Sequence, residues 1–463
     1  MPHTIKVNEP IEYDPAVVAA VLGENALPVD VTDRVLAPFI TVNGRIHTPT
    51  SNFLRHHCTV RPNLATARRL ASDLAGWLDY LCNTRGLHPY EDSRDPVLAA
   101  TEDHFAAYYR QRQYGTDDEA RLTSGGWAHA ASVIKRFYEY AQRRYQHLPP
   151  FEIITVTRRD GGTGTTIAKY QPRRRNTGSA GLPITPEYAQ YLLMGALRTD
   201  LDGNQDPYLG ADRDHAIFAL GLATGVRRNN LANITVYEIP QVSRLPLTTM
   251  RVADHITKGD AGGDALVFTH HLAAVREYLD GARADLVART TYRPAQPLHI
   301  ESADSTTVRY RTADEPGTVA SKRWIDADAD FRRRLVTPEG ASPVLFLNEY
   351  TGEPLAYRSL QHAIETARTF VRERIDRDFP ENYRIHDLRH TYAVHLTVAI
   401  YRGVVADIVE KQRREDWKVD HIAAAVELVK FSLGHASEQS TRLYTQTAHR
   451  FLSIPVDHFL GRF

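Results

Sequence analysis

A break in the middle of the chain constrains its fold more than any other feature. Pro149-Pro150 ends a helical pattern, and the stretch that follows holds Gly161-Gly162-Thr163-Gly164 and the run Arg173-Arg174-Arg175. Prolines stop a helix, and glycine-rich charged segments favour turns and linkers. Before the break, Leu70, Leu74, Trp77, Leu78 and Leu81 fall at helical spacing and make one apolar stripe. Val133, Phe137, Tyr140 and Ala141 make a second, in a helix that Thr123 or Ser124 can cap. At 463 residues the chain is also too long for one ordinary domain. We therefore expect an N-terminal extension over 1–45, a helical domain over 46–148, a linker over 149–182 and a larger domain over 183–463.

The larger domain opens on Pro183-Ile184-Thr185-Pro186, a cap followed by proline at the first helical position. Strand-like stretches follow at 246–256 and 265–270, joined by the turn-rich Lys258-Gly259-Asp260-Ala261-Gly262-Gly263-Asp264. Short β-prone segments recur between 296 and 347, such as Thr306 to Tyr310 and Val344 to Leu347, and from 357 the pattern returns to helix. The expected class is mainly α with a small antiparallel β-sheet.

Composition narrows the chemistry. Only Cys58 and Cys82 are present, which argues against a disulfide scaffold and fits a reducing cytoplasm. The most apolar candidate span, Leu396 to Val409, is interrupted by Arg402 and Asp407 and is too short for a bilayer. Charge is balanced at 56 basic and 56 acidic residues, so any nucleic-acid contact must come from local basic fields. Candidates for such fields are Lys135, Arg136, Arg143 and Arg144 on the second helical stripe, and Arg173, Arg174 and Arg175 in the linker. Basic charge is nearly all arginine, which makes Lys258 conspicuous in its turn.

Four clusters carry possible chemistry. In Thr224-Gly225-Val226-Arg227-Arg228-Asn229-Asn230-Leu231, Gly225 can end one helix in a left-handed conformation and leave Arg227 at the start of the next. Lys258 is the second. The third is His386-Asp387-Leu388-Arg389-His390: on a helix, His386, Arg389 and His390 share one face and suit a phosphate. The fourth is Leu433-Gly434-His435 followed by Thr441-Arg442-Leu443-Tyr444. His435 and Tyr444 would stand about 13 Å apart on one straight helix, so Ser437 is expected to cap and break the segment. Taken singly, the first reads rather as a surface arginine, the second as a solvated lysine and the fourth as a capped helix with a core tyrosine, while the third competes with a zinc site of the His-Glu-x-x-His kind. No G-x-x-x-x-G-K-[ST] loop for ATP and no paired acidic cluster for two metals are found.

In chain order the clusters read Arg, Lys, His-x-x-Arg, His, Tyr, and this order resembles the tyrosine site-specific recombinase (phage integrase) family. The matched pieces are TGVR at 224–227, TKG at 257–259, HDLRH at 386–390, LGH at 433–435 and Tyr444. The resemblance implies a helical core-binding (SAM-like) domain over 46–148 and an integrase-type catalytic domain that together clamp double-stranded DNA, usually in a homotetramer, in the cytoplasm and associated with the nucleoid. It implies a catalytic set of Arg227, Lys258, His386, Arg389, His435 and Tyr444, with His390 and Asn230 supporting. It also implies a metal- and ATP-independent reaction without cofactors, through a 3′-phosphotyrosine. Where the family usually has an acid three residues after the first arginine, this chain has Asn230. The stretches near 280–340 and 400–428 are longer than usual, and 19 residues follow Tyr444, with Phe451, Leu452, Ile454, Val456, Phe459 and Leu460 available to dock on this subunit or a neighbour. The rival readings are a catalytically silent DNA-binding protein on the same scaffold, a type IB topoisomerase, and a zinc hydrolase built on His386 and His390.

Overall fold

The computed structural model describes residues 2–10, 36–60, 63–88, 95–116, 121–157, 163–171, 181–253, 256, 262–312, 318–412, 421–433 and 447–461, with side chains left aside in 403–412 and 421–426. The chain forms two compact units, Met1–Thr177 and Gly178–Phe463.

In the first unit, strands β1 (Ile5–Asn8), β2 (Phe39–Val42) and β3 (Arg45–Ile46) form an antiparallel sheet. Helices α1 (Thr48–Val60), α2 (Leu64–Asp79), α3 (Pro96–Ala99), α4 (Glu102–Tyr114) and α5 (Ser124–Tyr145) follow, and then the hairpin β4 (Ile153–Thr157) and β5 (Thr163–Ile167). Both apolar stripes read from the sequence are buried: Leu70, Leu74, Trp77, Leu78 and Leu81 with Val133, Phe137, Tyr140 and Ala141. Each helix starts on a side-chain cap, Asn63 accepting from the Thr66 amide and Thr123 from the Gly126 amide. The polar tips of the core aromatics are satisfied: Trp77 Nε1 donates to Tyr138 Oη (3.2 Å), which donates to the Val97 carbonyl (2.7 Å).

Two segments hold more order than the sequence suggested. Residues 1–45 supply β1 and β2, and Ile40 and Val42 are fully buried in the unit's core. Part of the stretch read as a linker is the β4–β5 hairpin, which puts Phe151 and Ile167 into the same core. Strands of four or five residues are too short to show periodicity above background. The hairpin also corrects the reading of Lys135. Its stem is buried, and its Nζ donates to the Thr165 carbonyl (2.7 Å) and Oγ1 (2.6 Å), so it anchors the hairpin instead of standing in solvent. Arg136 is half-buried and bonds His57 Nδ1 (3.0 Å), whereas Arg143 and Arg144 are exposed. Arg173, Arg174 and Arg175 lie outside the described residues.

The second unit is organised around a buried helix. Helix α6 (Pro186–Leu197) starts on the Thr185 cap with Pro186 in its first turn. Helix α7 (Ala211–Thr224) is buried continuously from Ala216 to Thr224. A helix apolar on all sides must be covered on all sides. It is packed by α6, by α9 (Thr269–Asp280), which follows the short helix α8 (Arg228–Asn233), and by the later helices α12 (Ser359–Arg374) and α13 (Asp387–Gln412). Between α8 and α9 runs the expected hairpin, β6 (Leu247–Val252) paired antiparallel with β7 (Gly263–Phe268). After α10 (Ala282–Arg289) comes a four-stranded sheet in the order β10-β9-β8-β11, with β8 (Leu298–Ala303), β9 (Thr307–Thr312) and β10 (Val319–Arg323) antiparallel. Helix α11 (Ala329–Arg334) leads into β11 (Leu335–Val336), which pairs parallel to β8, so the sheets are not purely antiparallel as expected. Val344 to Leu347, read as β-prone, makes only isolated bridges. This sheet has a small core of its own around Trp324 and Phe331. The class is mainly α with small sheets. Among the described residues no helix is long and apolar enough to cross a membrane.

After α14 (His421–Leu433) the chain ends on α15 (Val456–Phe459). Phe451 and Phe459 bury themselves against α13 in this same chain, with Leu452, Ile454 and Leu460 alongside. The Phe459 ring meets His395 edge-on at 5.1 Å, and His395 Nε2 donates to the Ile184 carbonyl (2.9 Å). Burial pushes the His395 pKa down to about 4, helped by His270 and opposed by the Ile184 bond. The folded chain thus keeps this ring neutral at pH values where an unfolded histidine, near 6.5, is already protonated. Its contribution is intact above about pH 6.5, falls as pH drops towards 4, and reaches a loss of about 3 kcal/mol. Hydrogen exchange of the tail and of α13 between pH 7.5 and 4.5, corrected for intrinsic rates, reads this loss. In His395→Gln, which keeps a donor for Ile184, the pH slope is expected to flatten.

Candidate active site

Two helix junctions build the site. Helix α7 ends where Gly225 takes a left-handed conformation at φ +59°, and Arg227, extended at φ −72° and ψ 157°, is the residue that begins α8. Both features match the sequence expectation. Only glycine fits this junction: a Cβ on Gly225 would lie 2.1 Å from the Tyr392 ring. The second junction is the start of α13. Asp387 accepts from the amides of Arg384 (2.8 Å) and Leu182 (3.1 Å), which fixes the turn that carries His386. His386 therefore precedes the helix rather than lying on its face, and its ring meets that of His390 at 4.8 Å, nearly perpendicular.

Arg389, one turn into α13, is the centre of the arrangement. Its guanidinium is buried and donates to the Gly225 carbonyl (2.7 Å) and the Leu433 carbonyl (2.5 Å). Three segments far apart in sequence are tied at one point: the Thr224–Arg227 turn, α13, and the end of α14 just before Gly434-His435. A concave pocket opens here, lined by Thr224, Val226, Arg227, Asn230 and Arg389, by Val252, Gly262 and Gly263 of the hairpin, and by Phe431, Ser432 and Leu433. Asn230 is buried in that wall. Arg227 and Arg389 thus bring two guanidinium groups to one pocket lining, a composition that suits an anion.

His386 keeps part of its surface open to solvent. Its pKa is nonetheless lowered, first by desolvation and then by the charge of Arg389; Arg227 and Arg228 add to this, and Asp387 opposes it. Burial and the neighbouring guanidinium charges thus disfavour a further positive charge on this ring. The pKa of His390 falls to about 4, with burial first and His386 next among the causes. Among the described residues no group of three or more His, Cys, Asp or Glu side chains is placed to hold a metal, so His386 and His390 have no third donor there. Asp387, occupied by two backbone amides, is not placed as a base.

Lys258, His435 and Tyr444 lie outside the described residues. Several residues that sequence reasoning passed over belong to the site's frame. Tyr392 Oη donates to the Leu266 carbonyl (2.6 Å) and stands 2.6 Å from Ser432 Oγ, which accepts from the Leu266 amide (2.9 Å), so α13, α14 and β7 are joined. Tyr392 follows HDLRH by two positions, yet nothing in its spacing separates it from an ordinary core tyrosine.

No protein-family model matches this chain, and no curated protein sequence matches it. Solved structures do. The solved structures it resembles are recombinases and integrases. The XerH site-specific recombinase in its post-cleavage complex with a palindromic difH substrate matches at 14% identity and a TM-score of 0.47, over 87% of this chain and 83% of that one. The Tn1549 transposon integrase with transposon right end DNA matches at 10% identity and 0.45, over 88% and 98%. A lambda integrase dimer bound to a COC′ core site matches at 11% identity and 0.43, over 85% and 94%. Values this low carry no activity from those proteins to this chain; its own residues must do so.

Proposed function

We propose that this chain is a tyrosine site-specific recombinase, which cuts and rejoins duplex DNA through a covalent bond to Tyr444. One observation carries the proposal: Arg389 is buried between the Gly225 and Leu433 carbonyls and shares a pocket with Arg227. Motifs spread over some two hundred residues thereby meet at a site shaped for one anionic group.

The target is a phosphodiester with one negative charge. Attack by the Tyr444 phenol oxygen forms a phosphorus–oxygen bond and breaks the bond to the 5′-oxygen. Charge builds on the non-bridging oxygens in the five-coordinate state. Arg227 and Arg389 stabilise that state more than the ground state, because guanidinium is permanently charged and bidentate. His386, neutral near pH 7, takes the phenol proton, and His435 adds a hydrogen bond. Lys258 protonates the departing 5′-oxygen. The 3′-phosphotyrosine conserves the phosphodiester, so rejoining needs no nucleotide. His390 and Asn230 support this shell. The two units are read as a clamp on duplex DNA, the first, Met1–Thr177, extending the helical domain read over 46–148 and the second holding the catalytic domain read over 183–463, with four copies joining two sites in the cytoplasmic nucleoid. Exposed Arg143 and Arg144 are candidates for backbone contacts.

The test is covalent trapping on nicked suicide duplexes cut from DNA flanking the gene. The expected result is a denaturation-resistant protein–DNA adduct whose modified peptide contains Tyr444. Protein free of DNA on every such duplex, or an adduct on another residue, overturns the proposal. Relaxation of any supercoiled plasmid without a preferred site would instead mark a topoisomerase.

A further inference from the structure

Helix α8 is only six residues long, and its first neighbour is Arg227. So short a helix has no stability of its own, and its position must be imposed by what holds it. The holding groups come from helix α11, between β10 and β11. Arg333, in the last turn of α11, donates through Nε to Asn233 Oδ1 (3.0 Å) and through Nη2 to the Ala232 carbonyl (3.3 Å). Arg332 donates to the Asn233 carbonyl (3.2 Å). Two cations thus serve the carbonyl end of α8, where positive charge is favoured.

The contact continues along the helix. Asn233 Nδ2 donates to the Asn229 carbonyl (2.8 Å) and Oδ1 (3.1 Å), and Asn229 Nδ2 donates to the Ile256 carbonyl (2.8 Å). Asn229 and Asn233, at i and i+4, share one face, so a single row of hydrogen bonds runs from α11 through α8 to Ile256 between β6 and β7. Ile256 precedes Lys258 by two positions. Asn233 is 3% exposed, and a buried side-chain amide with both ends engaged holds its neighbours in one arrangement.

We propose that α11, held between β10 and β11, is a brace that sets the position of Arg227, with Arg333, Asn233 and Asn229 as positioning residues that never touch DNA. This rests on the function proposed above. A displacement well under an ångström at a group that stabilises charge in the transition state slows the chemical step without weakening binding.

Asn233→Asp tests it. The aspartate still accepts from Arg333, but it cannot donate to Asn229, so the row is cut at one link. At saturating suicide DNA the rate of adduct formation is expected to fall by roughly tenfold or more, with the DNA Kd within about twofold of wild type. In an Arg227→Lys background the same substitution should slow the reaction by no more than about twofold, because the group being positioned is already impaired. Arg333→Ala should behave like Asn233→Asp, and Arg333→Lys, which keeps a donor for Asn233, should recover part of the rate; this pair carries the test if Asn233→Asp does not fold. Full rate in Asn233→Asp or Arg333→Ala, or losses that multiply with Arg227→Lys, overturns the brace alone. Absence of any adduct in the wild type overturns the recombinase function itself and the brace with it.

Discussion

Arg389→Ala is expected to lower the rate of DNA adduct formation by at least about 1,000-fold. Removing a single preorganised donor from a site that stabilises developing negative charge costs about 100- to 1,000-fold in rate. Arg389 is more than one such donor. Its guanidinium also bonds the carbonyls of Gly225 and Leu433, two residues from Arg227 and from His435 respectively. Alanine removes the charge and unties both strands of the site together. Arg389→Lys separates the two effects, since a lysine ammonium keeps the charge but not the planar fork. It is expected to fall between wild type and alanine and to retain DNA binding. Single-turnover trapping at saturating DNA measures the rate, and a gel shift measures the affinity. A rate for Arg389→Ala within tenfold of wild type would refute this account of the site.

The largest stability effect is expected at Arg332. Its side chain is fully buried, pairs with Glu238 through both terminal guanidinium nitrogens, and donates to the carbonyls of Trp324 (2.7 Å) and Ala327 (2.8 Å). Glu238 is almost as buried and also caps Thr235, accepting from its amide and its hydroxyl, each at 2.9 Å. Removing one partner of a buried pair strands the other charge, and Arg332→Ala is expected to destabilise the second unit by about 3–5 kcal/mol. Hydrogen exchange in peptides covering 320–336 should accelerate by roughly 100-fold or more. Arg332→Met with Glu238→Gln, which leaves no charge to strand, should recover much of the loss. Similar exchange in Arg332→Ala and wild type would mean that water replaces the arginine.

Local patterns were enough to place several helices and their starts and stops. The stripes of α2 and α5, the Thr185-Pro186 start of α6, the Gly225 stop and Arg227 at the head of α8 are each set by a few adjacent residues, because caps, left-handed glycines and apolar periodicity act within one or two turns. The strands of 1–45 and the β4–β5 hairpin escaped notice because four or five residues carry no periodic signal until partners pair with them. Lys135 looked like a DNA contact because sequence does not distinguish a solvated ammonium from one held by a hairpin carbonyl. That Arg389 binds Gly225 and Leu433, and that Arg332 and Arg333 reach back about a hundred residues to α8, was decided only by the tertiary packing. Hydrogen bonds at such separations depend on how whole helices stack, and no local rule of spacing encodes that.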